Sequence, residues 1–172
     1  MEEGTPSGGA GNVRAGRSRR GVVLAGLVAL VLVAAGAVAW FQPQKLLIDR
    51  RVDEAPPGTV TVAEGRFRSL GHETSGRAAV LEVDGGRRFL RLDELRTSNG
   101  PDLFVYLSAT PADGPRDAFD DEFLSLGRLK ANQGNQNYEI GAGTRLDRYR
   151  SVVIWCRRFT YAFGAAELAP AR

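Results

Sequence analysis

Ser151-Val152-Val153-Ile154-Trp155-Cys156-Arg157-Arg158-Phe159 is the segment from which the rest of the chain can be read. Val152, Val153 and Ile154 are β-branched and Trp155 is aromatic, which suits a pleated, half-buried surface, so the stretch reads as a strand. Side chains of a strand alternate between its two faces. Val152, Ile154 and Cys156 therefore share one face, and Val153, Trp155 and Arg157 share the other. The first face is apolar throughout. That points Cys156, the single cysteine of the chain, inward or into a cleft at the strand end. Arg157 and Arg158 follow at once, and guanidinium groups beside a thiol favour the thiolate form. Cys156 is thus a candidate redox thiol, with Trp155, Arg157 and Arg158 as its tuning neighbours. The competing reading is a buried cysteine acting as a small hydrophobe.

Outward from this strand, both flanks carry short alternating runs separated by turn residues. On the C-terminal side lies 159–168. On the N-terminal side lie 137–140, 123–129, 102–107, 89–92, 78–83, 65–67 and 59–62. Asp84-Gly85-Gly86 between two of them is a hairpin signal. Residues 110–121 read as a polar loop with two prolines. Many short strands, with no amphipathic helix among them, predict an all-β fold, a β-sandwich or barrel-like domain over 59–169.

Further back the texture changes. Residues 21–41 carry no charge, and at about 1.5 Å per residue such a run crosses a bilayer core of about 30 Å. This predicts a transmembrane helix acting as a signal anchor, with Trp40 and Phe41 at the far interface. The alternative is a signal peptide cleaved after Ala37-Val38-Ala39, which has the small-x-small form. Residues 1–20 read as a disordered tail, and 42–58 as a linker ending in Pro56-Pro57-Gly58. Arg14, Arg17, Arg19 and Arg20 abut the apolar run, so the positive-inside rule leaves the tail in the cytoplasm and the β domain outside it. The expected location is a single-pass cell-membrane protein with an extracytoplasmic domain.

Charge and composition exclude several classes. The whole chain has net charge +3, but from Pro56 onward 16 Lys and Arg oppose 15 Asp and Glu. The basic excess belongs to the tail, so nucleic acid is not an expected partner. One cysteine allows neither an internal disulfide nor a cysteine-based zinc site. Arginine outnumbers lysine 21 to 2, a composition that points to a GC-rich bacterial genome. There is no Gly-x-Ser-x-Gly elbow, no His-Glu-x-x-His and no phosphate-binding loop, so no hydrolase or transferase motif is present. Haem attachment through Cys-x-x-Cys-His is absent. His72 is the only histidine, which makes haem an unexpected cofactor. No cofactor or metal is evident, and the acidic residues Asp117, Asp120, Asp121 and Glu122 lack the spacing of a calcium-binding EF-hand loop.

Several short motifs occur in a fixed order. They are Gly65-Arg-Phe67, His72, Leu90-Arg-Leu92, Asn99-Gly-Pro-Asp-Leu103, Leu126-Gly-Arg-Leu-Lys130, Gly134-Asn-Gln-Asn-Tyr138, Trp155-Cys156 and Phe163-Gly-Ala-Ala-Glu-Leu168. Together they resemble the DM-thirteen domain, also labelled the electron-transfer DM domain, from about Val62 to Leu168. The resemblance implies an extracellular β domain of a kind often found beside haem- or sugar-binding sandwiches, with bacterial members secreted or membrane-attached. It also implies a redox or electron-transfer role centred on the cysteine of Trp-Cys, here Cys156.

The expected function is therefore a membrane-anchored redox domain working through Cys156 with an unknown partner outside the cytoplasm. The alternative is a non-catalytic binding module for glycan, envelope polymer or a protein. For either, His72, Asp102, Gln136, Asn137 and Tyr138 are candidate ligand-facing residues, since they offer an imidazole, a carboxylate, amides and a phenol in polar turns or a polar loop.

Overall fold

The computed structural model describes residues 19–41 and 49–171. The chain divides into two units, 1–42 and 43–172. In the first, helix α1 spans Arg19–Phe41. Every side chain from Arg20 to Ala37 is exposed within the chain, and this segment is long and apolar enough to cross a membrane. A helix that is apolar all round has no polar face to give to water. The expected tail at 1–18, the linker residues 42–48 and the side chains of Trp40 and Phe41 lie outside the described residues.

The second unit is one continuous, strongly curled sheet. Its strands are β1 (Arg51–Asp53), β2 (Val60–Ser69), β3 (Thr74–Val83), β4 (Arg87–Thr97), β5 (Leu103–Ser108), β6 (Phe123–Arg128), β7 (Gln133–Ile140), β8 (Ser151–Cys156), β9 (Tyr161–Glu167) and β10 (Ala169–Pro170). They run side by side in the order β1-β7-β4-β3-β2-β9-β8-β5-β6, with β10 also on β2. Only β1 on β7 is parallel. Strand β2 makes the corner. Its first part pairs with β3 through Arg66, and its last residues, Phe67 to Ser69, pair with β9. Gly65 permits this crossing, because a Cβ there would lie 1.7 Å from the carbonyl oxygen of Glu167. The curl gives a half-barrel rather than two stacked sheets, so of the two expected shapes the barrel-like one is found.

The interior holds one apolar cluster built from alternate residues of most strands. It includes Val80, Leu90, Leu92, Val105, Leu107, Val152, Ile154, Cys156 and Phe163. A second cluster lies on the other side of the β5-β8-β9 sheet, around Phe104, Tyr106, Val153 and Trp155. Residues 109–122 cover it, and they bring in Ala112 and the fully buried Phe119. The stretch expected as a plain polar loop is therefore a lid over a second core. Its backbone is held by Ser108 Oγ donating to the Phe119 carbonyl at 2.9 Å and Thr110 Oγ1 donating to that of Ala118 at 2.7 Å.

The expected linker also contributes structure. Arg51–Asp53 forms β1, and Arg50 and Glu54 continue its hydrogen bonding to β7. Gly134 makes room for it, with φ of +100° and a hypothetical Cβ 2.1 Å from the Val52 carbonyl oxygen.

Candidate functional site

Cys156 ends β8 and faces the inner cluster, where it is fully buried at 0 % exposure. Its direct cross-strand partners are Leu103 on β5 and Tyr161 on β9. Such pairs place Cβ atoms about 4.5–5.5 Å apart on the same face. The pairing with Tyr161 depends on a register shift after Ile154, where β9 carries an extra residue. Without that bulge Ala162 would stand opposite the cysteine.

Tyr161 is half-buried and packs against the inner cluster. Its hydroxyl lies 2.7 Å from Nε2 of His72. His72 reaches this place because the connection from β2 to β3 is laid along β9. The Leu70 and His72 N–H groups donate to the Phe163 carbonyl, and the Gly71 N–H donates to that of Ala162. The imidazole packs 4.0 Å from the Phe163 ring and 5.8 Å, at 14°, from Tyr161. Tyr161 stacks in turn on Phe163 at 5.6 Å and on Phe159 at 6.2 Å. The three Tyr161 spacings are those of favourable ring pairs. Phe159 is 55 % exposed, so a row of rings leads from the core beside Cys156 to the surface. The Arg116 guanidinium sits 5.6 Å over Tyr161.

Arg157 and Arg158 are both exposed. The Arg157 side chain lies on the opposite side of the sheet from the thiol. Its Nε donates to the Tyr106 hydroxyl at 3.0 Å, and its guanidinium covers Phe104 at 4.2 Å. Arg157 is thus a neighbour of the thiol in sequence and not in space, because the strand pleat sends successive side chains to opposite faces. Trp155 is buried in the outer cluster and stacks 6.1 Å from Tyr106. Asp102 pairs with Arg128 at 2.7 Å, and its carbonyl accepts the Arg157 N–H.

Gln136, Asn137 and Tyr138 lie on β7, away from the ring row. Gln136 is fully buried and clasps Ala131, with Nε2 donating to the Ala131 carbonyl at 2.7 Å and Oε1 accepting its N–H at 3.3 Å. Tyr138 donates to the same Oε1 at 2.8 Å and accepts the Lys130 N–H at 3.1 Å. Burial pushes the Tyr138 phenol well above its ordinary range. Asn137 Oδ1 accepts from Arg91, and its Nδ2 donates to Ala55. These groups hold the turn between β6 and β7 and the segment after β1.

The structure therefore brings His72 to the cysteine end of the half-barrel. It adds three residues that were not candidate site residues, Phe159, Tyr161 and Phe163, of which Phe159 and Phe163 stand in the stretches quoted above. Their signal was present as aromatics at every second position of 159–163. The bond from His72 to Tyr161 spans 89 positions and exists only in the folded chain.

Fold and site define a curled, mostly antiparallel β domain with a buried thiol and an aromatic row beside it. The chain matches the family described as electron transfer DM13 over residues 66–168 and belongs to it. No curated protein and no solved structure matches the chain.

Proposed function

We propose that this chain is a membrane-anchored electron-transfer domain whose working redox group is Cys156. The observation that carries the reading is the enclosure of the chain's one thiol directly across from Tyr161, in a family described by electron transfer. Disulfide exchange requires a thiolate to reach the sulfur, and an enclosed sulfur is closed to it. Electron transfer needs no such access. In the proposed cycle, Cys156 gives one electron to a one-electron oxidant on a partner protein and loses its S–H proton, which leaves a thiyl radical. A one-electron donor then returns the electron, and the sulfur takes a proton back. Helix α1 holds the domain at the membrane, and the basic residues before it favour an extracytoplasmic β domain.

The test is a stopped-flow titration of the full-length chain with hexachloroiridate(IV), an outer-sphere one-electron oxidant. Wild-type protein consumes oxidant in a fast phase, and a folded Cys156→Ser variant loses at least one electron equivalent of it. Equal consumption by both would remove the thiol from the function. One observation favours a second reading, a binding module. A cleft of about 310 Å³ opens beside Leu103, lined by Arg50, Asn99, Pro101, Arg128 and Lys130 among others.

A further inference from the structure

Tyr161 has a hydroxyl partner unlike that of any other tyrosine here. The chain has four tyrosines. The Tyr106 hydroxyl meets the Arg157 guanidinium, and the Tyr138 hydroxyl meets an amide oxygen and a backbone N–H. Neither partner can take up a proton at neutral pH. Among the described residues no side-chain partner is found for the Tyr149 hydroxyl. Tyr161 alone has a basic ring nitrogen, His72 Nε2, at 2.7 Å. A phenol gives up an electron readily only when its proton has somewhere to go, because the phenol radical cation is a very strong acid. A neutral imidazole with its proton on Nδ1 offers Nε2 as the acceptor.

We infer that Tyr161 and His72 form a proton-coupled redox pair that relays oxidising equivalents between the protein surface and Cys156. The inference rests on the electron-transfer reading of Cys156 and extends it to the route. A one-electron oxidant docked at the exposed Phe159 takes an electron from Tyr161. The phenolic O–H bond breaks, its proton forms the Nε2–H bond of a His72 imidazolium, and a neutral phenoxyl remains. One electron and one proton then pass from the Cys156 thiol to the phenoxyl, which restores the phenol and leaves the thiyl. The half-buried imidazolium releases its proton to solvent. Overall the oxidant gains one electron, the thiol becomes a thiyl and one proton leaves. Three placements support the route: Tyr161 is the cross-strand neighbour of Cys156, Phe163 packs His72 in place, and Phe159 carries the stack outward.

The test uses the full-length chain in detergent micelles, mixed with hexachloroiridate(IV) and freeze-quenched for electron paramagnetic resonance. Wild-type protein gives a tyrosyl spectrum that Tyr161→Phe abolishes. His72→Gln slows oxidant decay by about 10²-fold, the scale of a lost proton acceptor, and diminishes the solvent deuterium isotope effect. In heavy water, the wild-type phenoxyl shows one hydrogen-bonded deuteron, a readout that needs no variant to fold. A tyrosyl spectrum surviving Tyr161→Phe, a tryptophan-type spectrum from Trp155, or a phenoxyl without that deuteron overturns the pair. Unchanged rate and isotope effect in His72→Gln does the same. In Cys156→Ser the phenoxyl forms and outlives that of the wild type. An equal lifetime would remove Cys156 from the route while leaving the pair standing, whereas thiol-dependent oxidant uptake without a Tyr161 radical would remove the pair and leave the thiol.

Discussion

Glu54 joins two segments that sequence separates by more than seventy positions. Its carboxylate accepts Lys130 Nζ at 2.7 and 2.9 Å and the Asn137 N–H at 2.7 Å. Burial pushes this carboxyl up, but the Lys130 and Asn137 hydrogen bonds and the charges of Lys130 and Arg91 outweigh it. The net position is below the ordinary value of 4.5. A carboxyl held low in the folded state adds stability above its unfolded value and loses it as pH falls through the folded one. Glu54→Gln is therefore expected to lower the urea midpoint at pH 7. The gap from wild type should shrink as pH drops below 4.5; a gap constant with pH would show that the ionised form contributes nothing. At this scale, alternation along β8 gave the face of Cys156 directly, because Val152 and Ile154 flank it with apolar neighbours. The position of Arg157 followed from the same alternation. The partner of His72 was not legible, since a contact across 89 positions leaves no local pattern.

Strands β3 to β6, β8 and β9 were legible as elements because each alternates or runs apolar between turn residues, whereas of β7 only 137–140 was, because its polar start, Gly134-Asn-Gln-Asn, has the composition of a loop. Two other segments were not legible. Arg51–Asp53 carries no alternation of its own and becomes β1 only because Gly134 lets it approach β7. Residues 109–122 have the composition of a loop, yet Phe119 among them is fully buried against Trp155 and its neighbours. An isolated phenylalanine within polar residues shows no period, so its burial is a property of the assembled sheet. The lid predicts that Phe119→Ala costs about 3–5 kcal/mol, the usual loss for a buried aromatic. Equilibrium denaturation checks this, and a loss below about 1 kcal/mol would mean that the loop collapses onto the space or never covered the face.

At the scale of the whole molecule, the half-barrel divides its duties between two faces. The outer face of β5, β8 and β9 is closed by the lid and holds Trp155 and Tyr106. The inner face carries Cys156, with the ring row leading away from it. Enclosure of the thiol protects it from reagents while packed rings remain beside it. Electrons are expected to reach Cys156 where molecules do not. The most direct measurement exposes the folded full-length chain in parallel to iodoacetamide and, in air, to hexachloroiridate(IV), removes each, then unfolds the protein and counts free thiol. A thiyl formed in air proceeds to sulfur oxides and is lost from that count. The thiol is expected to survive iodoacetamide and to disappear with the oxidant. Survival through both would mean that no electron path exists, and loss to both would mean an open thiol; either result would end the reading of Cys156 as an enclosed electron-transfer group.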